Sequence, residues 1–298
     1  VILLAGGTGH LGVRLAPLLV ARGFPVRVLT RDPGKARGAM QGVELRRGDV
    51  RDPATLGPAL AGVDTVISAI TGFGPGGAGP RAIDLEGNRA LIRAAEAAGV
   101  GHYVLLSMHG ASPDHPLELL RMKHQAETLL RQSSLGWTIV RPTVFMELWL
   151  EIVCGPILTS GKATVFGRGA NPINFVSVSD LARFVELVVT TPAFAGSLLS
   201  VGGPEDLTLT EMIATFSASV GKKPAVRHVP LGALRLAALL LRPVRPDIAG
   251  LIDAGRQMEL GDMSFDGAAL QRRFPDISLT RLVEVIRQEH VGEPGRSV

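Results

Sequence analysis

The chain opens Val1-Ile2-Leu3-Leu4-Ala5-Gly6-Gly7-Thr8-Gly9-His10-Leu11-Gly12, and this stretch decides the fold. An apolar run of strand length meets a glycine-rich turn and then a helix-length segment, 10–22. That is the local pattern of a dinucleotide phosphate site. Gly6 makes the tight turn, Gly9 admits the phosphates to the backbone, and Gly12 lets the helix pack close to the sheet. Thr8, His10 and Leu11 complete the loop at the helix N-terminus, where unpaired N–H groups and the positive dipole end favour an anion. A βα turn can be glycine-rich for architecture alone, but a second apolar run at 26–29 strengthens the phosphate reading. Pro17 falls inside the helix, and its missing N–H and ring clash predict a kink.

Outward from this turn, strand-like and helix-like segments alternate up to residue 142. Strands are expected near 1–5, 26–30, 43–47, 64–70, 102–107 and 137–141, with helices at 10–22, 53–61, 81–98 and 117–133 and a short turn at 33–40. The fold class is therefore α/β, a Rossmann-type doubly wound parallel sheet with its ligand crevice at the carboxyl ends of the strands. The Gly- and Pro-rich segment 71–80 reads either as a mobile flap beside that crevice or as a plain connector. Beyond 142 come an apolar helix near 145–153, strands near 163–166 and 173–177, a helix at 180–189, a strand at 198–201, and helices near 208–220, 231–241, 246–259 and 279–288. The expected organisation is a nucleotide-binding domain over 1–145, completed by about 174–203, and a smaller, mostly helical substrate-binding cap over 146–173 and 204–298.

Composition narrows the function classes. A formal charge of +4 spread over 298 residues, without basic runs and with 4% aromatics, does not imply nucleic acid. The single Cys154 excludes an intramolecular disulfide and makes a reducing cytoplasm the expected compartment; no His pair has zinc-like spacing, so no metal is expected. The longest apolar stretch, 231–241, is interrupted by Arg235 and too short to span a bilayer, which leaves a peripheral membrane contact open. Because the sequence opens on a strand, no leader segment is expected.

Residues at strand ends are the candidates for chemistry. The second strand ends Leu29-Thr30-Arg31-Asp32 with no acid at its tip, so Arg31, aided by Lys35 and Arg37, is read as pairing with a 2′-phosphate. NADP is thus favoured over NAD, the alternative being a solvated Arg31 with Asp32 capping the next helix. Asp49 and Val50 end the third strand, placed to take the adenine amino group and flank its ring; Asp52, before Pro53, is read as a cap. Ala69, Ile70 and Thr71 end the fourth strand and leave room for the ribose and nicotinamide.

Together with Thr30-Arg31-Asp32-Pro33, Gly48-Asp49-Val50, Leu106-Ser107, Trp137-Thr138-Ile139-Val140-Arg141-Pro142, Phe145-Met146-Glu147 and Phe175-Val176-Ser177-Val178-Ser179-Asp180-Leu181-Ala182, the opening turn resembles the NmrA-like branch of the atypical short-chain dehydrogenase/reductases over about 1–205. The resemblance implies a Ser-Tyr-Lys set. Lys123 stands in the matching helix, but Leu119 occupies the tyrosine's place, and the only tyrosine, Tyr103, lies inside a strand and reads as packing. Ser107 and Lys123 are the catalytic candidates, Lys123 also as a ribose anchor, with His109 or His124 as proton donors. The same resemblance puts Pro142, Thr143 and Phe145 beside the nicotinamide, and Phe145, Met146, Trp149, Phe166 and the 231–241 leucines around an apolar pocket.

The expected function is NADPH-dependent hydride transfer to a hydrophobic carbonyl, enone or quinone. The rivals are a nucleotide-binding redox sensor without turnover, favoured by Leu119, and a nucleotide-bound structural subunit or assembly factor. A small hydrophobic substrate is the expected partner; a homodimer or a protein partner stays open.

Overall fold

A computed structural model describes residues 1–38 and 40–291. Its strands are β1 (Ile2–Ala5), β2 (Val26–Thr30), β3 (Glu44–Arg47), β4 (Thr65–Ser68), β5 (His102–Leu106), β6 (Gly136–Pro142), β7 (Val144–Phe145), β8 (Lys162–Phe166), β9 (Ile173–Val176), β10 (Ser197–Val201), β11 (Asp206–Leu207) and β12 (Ala225–Val229). Contacts divide the chain into two compact units, Val1–Pro142 with Leu181–Val201, and Thr143–Asp180 with Gly202 onward.

The first unit is built on a seven-stranded sheet in the order β10-β6-β5-β4-β1-β2-β3, every pair parallel. The order reverses at β1, between β2 and β4, which puts the ligand crevice beyond the carboxyl ends of those strands. All four β1 residues are buried, as a central parallel strand covered on both faces requires, whereas the charged β3 closes an edge. The flanking helices are α1 (Gly12–Ala21), α2 (Pro33–Ala36), α3 (Leu56–Leu60), α4 (Asn88–Ala97), preceded by a π-helical segment Arg81–Gly87, and α5 (Glu118–Arg131). Leu15, Ala16 and Leu19 form the buried stripe of α1. Pro17 does not interrupt that helix; it is exposed, so solvent can serve the carbonyl that its missing N–H leaves.

The second unit contains helices α6 (Met146–Trp149), α7 (Gly155–Ser160), α9 (Leu209–Val220), α10 (Leu231–Leu241), α11 (Pro246–Leu260), α12 (Gly267–Arg273) and α13 (Leu282–Ile286), while α8 (Val178–Thr190) begins in it. Two small sheets accompany them. In one, β9 pairs parallel with β7 and antiparallel with β11; in the other, β8 and β12 are parallel. The expected helix at 145–153 is instead α6 followed by a π-helical Leu150–Cys154.

The expected apolar pocket also needs correction. Met146 and Trp149 are buried core of the second unit, Trp149 standing edge-on to Phe166 at 6.3 Å and 88°. Leu236, Leu239 and Leu240 of α10 face solvent rather than a cavity.

Candidate functional site

The packing of the protein itself requires glycine at some positions of the opening turn and not at others. Gly6 has φ +86°, and a Cβ there would lie 2.4 Å from the Ala69 carbonyl oxygen at the end of β4. A Cβ on Gly12 would lie 2.3 Å from Gly7 Cα, so the first residue of α1 sits directly on the turn. Gly9 differs. It is exposed, and the nearest atom to a Cβ there is the Gly6 oxygen at 3.4 Å, so its surface is left open for a ligand.

The loop is held by Gly9 N–H donating to Gly6 O (3.1 Å) and Val13 N–H to Gly9 O (3.1 Å). Thr8 and His10 are exposed on it, Leu11 is buried beneath, and Arg14 Nη1 donates to His10 O at 3.2 Å. No side chain caps α1 and no acid stands in its first turn, which leaves the dipole end bare toward an anion.

At the tip of β2, Asp32 is committed to capping α2: its Oδ1 accepts from Gly34 N (3.0 Å) and Lys35 N (3.2 Å). Arg31 is exposed and has no hydrogen-bonded or ion-pair partner among the described residues, although its charge helps hold the Asp49 carboxyl low. Arg51 is the main cause of that shift, gripping Asp49 through both carboxylate oxygens. An adenine amino group would therefore meet an Asp49 carboxylate that Arg51 already grips. Asp52 caps the turn at Pro53 as expected, through Ala54 N. Val50 is buried, and Gly87 leaves the space that it and Ile70 occupy.

Lys123 is 5% exposed and fixed at the carboxyl ends of two sheet strands. Its Nζ donates to Ile70 O at 3.1 Å and Leu106 O at 2.9 Å. The countercharge is Asp84, fully buried, with Oδ1 3.0 Å from Nζ at an angle outside hydrogen-bond geometry. Asp84 Oδ2 accepts from Gly72 N (2.8 Å) and Thr71 Oγ1 (3.4 Å), while Gly79 N–H donates to Gly72 O (3.1 Å). The 71–80 loop is thus tied at its base to the group that balances Lys123. Asp84 has no motif around it, and only its place one turn before Asn88 on an amphipathic segment signals an inward-facing polar group. Asn88 is buried as well, its Oδ1 accepting from Ser68 Oγ (2.6 Å) and Tyr103 Oη (3.3 Å).

Tyr103 is in the core, and burial raises its hydroxyl above the ordinary range, so its assignment to packing holds. Leu119, half-buried, stands one turn before Lys123 on α5. The Ser107 hydroxyl donates to Glu127, a fully buried carboxylate that also receives Arg141 Nε and Nη2, both at 2.7 Å, and Arg131 at 3.1 Å. Burial pushes the Glu127 carboxyl up, but the hydrogen bonds from Arg141 and Ser107 and the charges of Arg141 and Arg131 outweigh it, and the net shift is downward. Ser107 is itself buried, with its hydroxyl proton committed to Glu127. His109 N–H donates to Pro142 O (2.8 Å), joining the segment after β5 to the end of β6; His124 lies half-buried on α5.

The residues just beyond Pro142 belong to the second unit. Thr143 is buried and its hydroxyl meets Asn174 Oδ1 at 3.0 Å, and Phe145 is half-buried in β7. Asn174, which no motif flags, is fully buried and also receives Gly203 N at 2.7 Å and donates to Asp206 Oδ1 at 2.8 Å. Glu147 accepts from Val178 N with both oxygens at 2.9 Å, so two of the sequence landmarks are the halves of one helix cap. Among the described residues no cluster of His, Cys, Asp and Glu could hold a metal, and no helix is long and apolar enough to cross a membrane.

A family model described as NAD(P)H-binding matches residues 6–192. The chain is 33% identical over 231 residues to NAD(P)H azoreductase of Xenophilus azovorans, 77% of each protein. It is 30% identical over 236 residues to photosystem II assembly factor Ycf39 of Synechocystis sp., 78% of this chain and 72% of that one. Its fold is similar to that of an NADPH-dependent quinone oxidoreductase of Escherichia coli crystallised with NADPH, with a TM-score of 0.78 at 24% identity over 97% of this chain and 99% of that one.

Proposed function

Since the chain belongs to the NAD(P)H-binding family, we propose that it is an NADPH-dependent reductase that delivers hydride to a hydrophobic carbonyl, enone or quinone. The observation that carries the reading is Lys123: a buried ammonium held by two strand-end carbonyls and one carboxylate, on the crevice side of the sheet. An ammonium fixed there can bind a ribose hydroxyl and polarise a substrate oxygen. The residues fit the nucleotide: Gly9 leaves open surface, α1 presents an uncapped N-terminus, and Arg31 stands free at β2 while Asp32 is committed elsewhere. NADPH, when bound, supplies the hydride. The chain's share is to orient it and to stabilise the oxyanion as it develops. With Leu119 in the tyrosine's place, the proton comes from solvent or from His109 or His124. The azoreductase relative supports a reductase reading.

A second reading, a nucleotide-bound assembly factor or regulator without turnover, is favoured by Leu119 and by the likeness to Ycf39. Calorimetric titration with NADPH, NADP⁺, NADH and NAD⁺, followed by NADPH oxidation assays on quinones, enones and azo dyes, separates the two. Tight NADPH binding with turnover supports the reductase, whereas binding without turnover on any acceptor supports the regulator. Arg31→Ala should weaken NADPH by about 1.5–3 kcal/mol and leave NADH almost unchanged; equal weakening of both would remove Arg31 from 2′-phosphate recognition.

A further inference from the structure

Helix α10 buries only Leu234 and Ala238, at i and i+4, and packs against α11. Leu231 and Leu241 at its ends are half-buried, and its remaining leucines point outward. Leu236, Leu239 and Leu240 are 57%, 66% and 66% exposed, and Val244, just past the helix, is 77% exposed. No fold requirement explains four large apolar residues in water within one short segment, since each exposes area that burial would stabilise.

The charges on α10 and the turn after it are all basic, and the carboxylates that meet two of them, Asp247 and Asp253, stand on α11. From Met212 to Pro246 the chain carries six Lys or Arg and no Asp or Glu. Arg235, on α10 itself, has no ion-pair or hydrogen-bond partner among the described residues, while Arg242 and Arg245 flank the exposed Val244 and pair with Asp253 and Asp247. An apolar strip that carries the exposed Arg235 and is followed by Arg242 and Arg245 complements an anionic bilayer surface, where leucines enter the acyl boundary and guanidinium groups stay among the phosphates.

We propose that α10 and the turn after it form a peripheral docking surface for anionic phospholipid, with Leu236, Leu239, Leu240 and Val244 inserted and Arg235 among the headgroups. A second copy of the chain fits the same face less well, because a two-fold contact would set the same arginines against one another.

The test is co-sedimentation of the whole chain with phosphatidylcholine vesicles, with and without about 30% phosphatidylglycerol, at low and high salt. Retention is expected on the anionic vesicles, falling with salt, and Leu239→Asp/Leu240→Asp should reduce it at least about tenfold. Both positions are solvent-facing, so the unfolding midpoint should stay near that of the parent chain. Arg235→Glu offers an independent variant that should weaken retention on the anionic vesicles. No retention on anionic vesicles, or retention indifferent to these substitutions, overturns the proposal. A concentration-dependent dimer that the leucine variant abolishes, without vesicle binding, assigns the face to a second copy instead.

Discussion

Replacing Asp84 by Asn tests the architecture around Lys123 directly. Lys123 and Asp84 are 5% and 0% exposed, so solvent screens their interaction little, and removing one partner leaves a buried charge uncompensated. Such losses run to about 3–5 kcal/mol. The two carbonyls that Lys123 keeps, at Ile70 and Leu106, are neutral acceptors already in use and cannot replace the lost charge. Nor can an amide do both of the carboxylate's tasks: Asp84 turns Oδ1 to Nζ and Oδ2 to Gly72 N, whereas Asn has one oxygen and must abandon one donor. The expectation is a loss of about 3–5 kcal/mol in urea unfolding at neutral pH, followed by circular dichroism. Lys123→Met in the same chain should recover much of it, because both charges are then gone and the side-chain stem remains. A single Asp84→Asn variant within about 1 kcal/mol of the parent, or a double-mutant cycle additive to about 0.5 kcal/mol, would refute the reasoning.

Gly9→Ala should leave the unfolding midpoint nearly unchanged and abolish measurable NADPH binding, because its Cβ meets no protein atom closer than 3.4 Å but takes the phosphates' place; Gly12→Ala, with its Cβ 2.3 Å from Gly7, should instead unfold the turn. Equal effects of the two on stability would show that Gly9 is architectural. Glu127, whose carboxyl is held below its ordinary range, contributes stability that is complete above about pH 4.5 and lost as pH falls through its folded value, so Glu127→Gln should be clearly less stable than the parent at pH 7 and the gap should close under acid. A gap independent of pH would mean that its hydrogen bonds, not its charge, matter. Burial pushes the Cys154 thiol up to about 12, so a disulfide reagent at pH 8 should label it only after denaturation, and fast labelling of the native chain would contradict the packing of the second unit.

The glycine turn and the sheet were legible in the sequence because their causes are local. Glycine spacing, apolar runs and the alternation of strand with helix depend on neighbouring residues. In the small sheets of the second unit β8 and β9 were legible but their partners were not, since a two-residue strand such as β7 or β11 has no periodicity and the residues of β12 are mostly exposed. Lys123 could be placed in its helix, but Asp84, Asn88 and Asn174 act through partners distant in the chain, and polar residues buried in such networks look like any surface residue when read singly. The landmarks around Glu147 and Val178 are a related case. Each is visible alone, yet only the folded chain makes one the cap of the other.

The tetrapeptide Leu29-Thr30-Arg31-Asp32 shows where such local reading ends. Its sequence permits two arrangements, an arginine that takes a 2′-phosphate or a solvated Arg31 beside an Asp32 that caps the next helix. The role of Asp32 follows from the demand of the next helix: Pro33 at its first position brings no N–H, and the N–H groups of Gly34 and Lys35 need an acceptor. Asp32 supplies it, 3.0 and 3.2 Å away, and a carboxylate that moved to a ribose would strand both donors. Losing such a cap costs about 0.5–2 kcal/mol, which a hydrogen bond to an exposed hydroxyl scarcely returns. Arg31, exposed and without a partner among the described residues, has no such debt; the capping of Asp32 accords with either arrangement, and the NADPH and NADH affinities of Arg31→Ala decide between them.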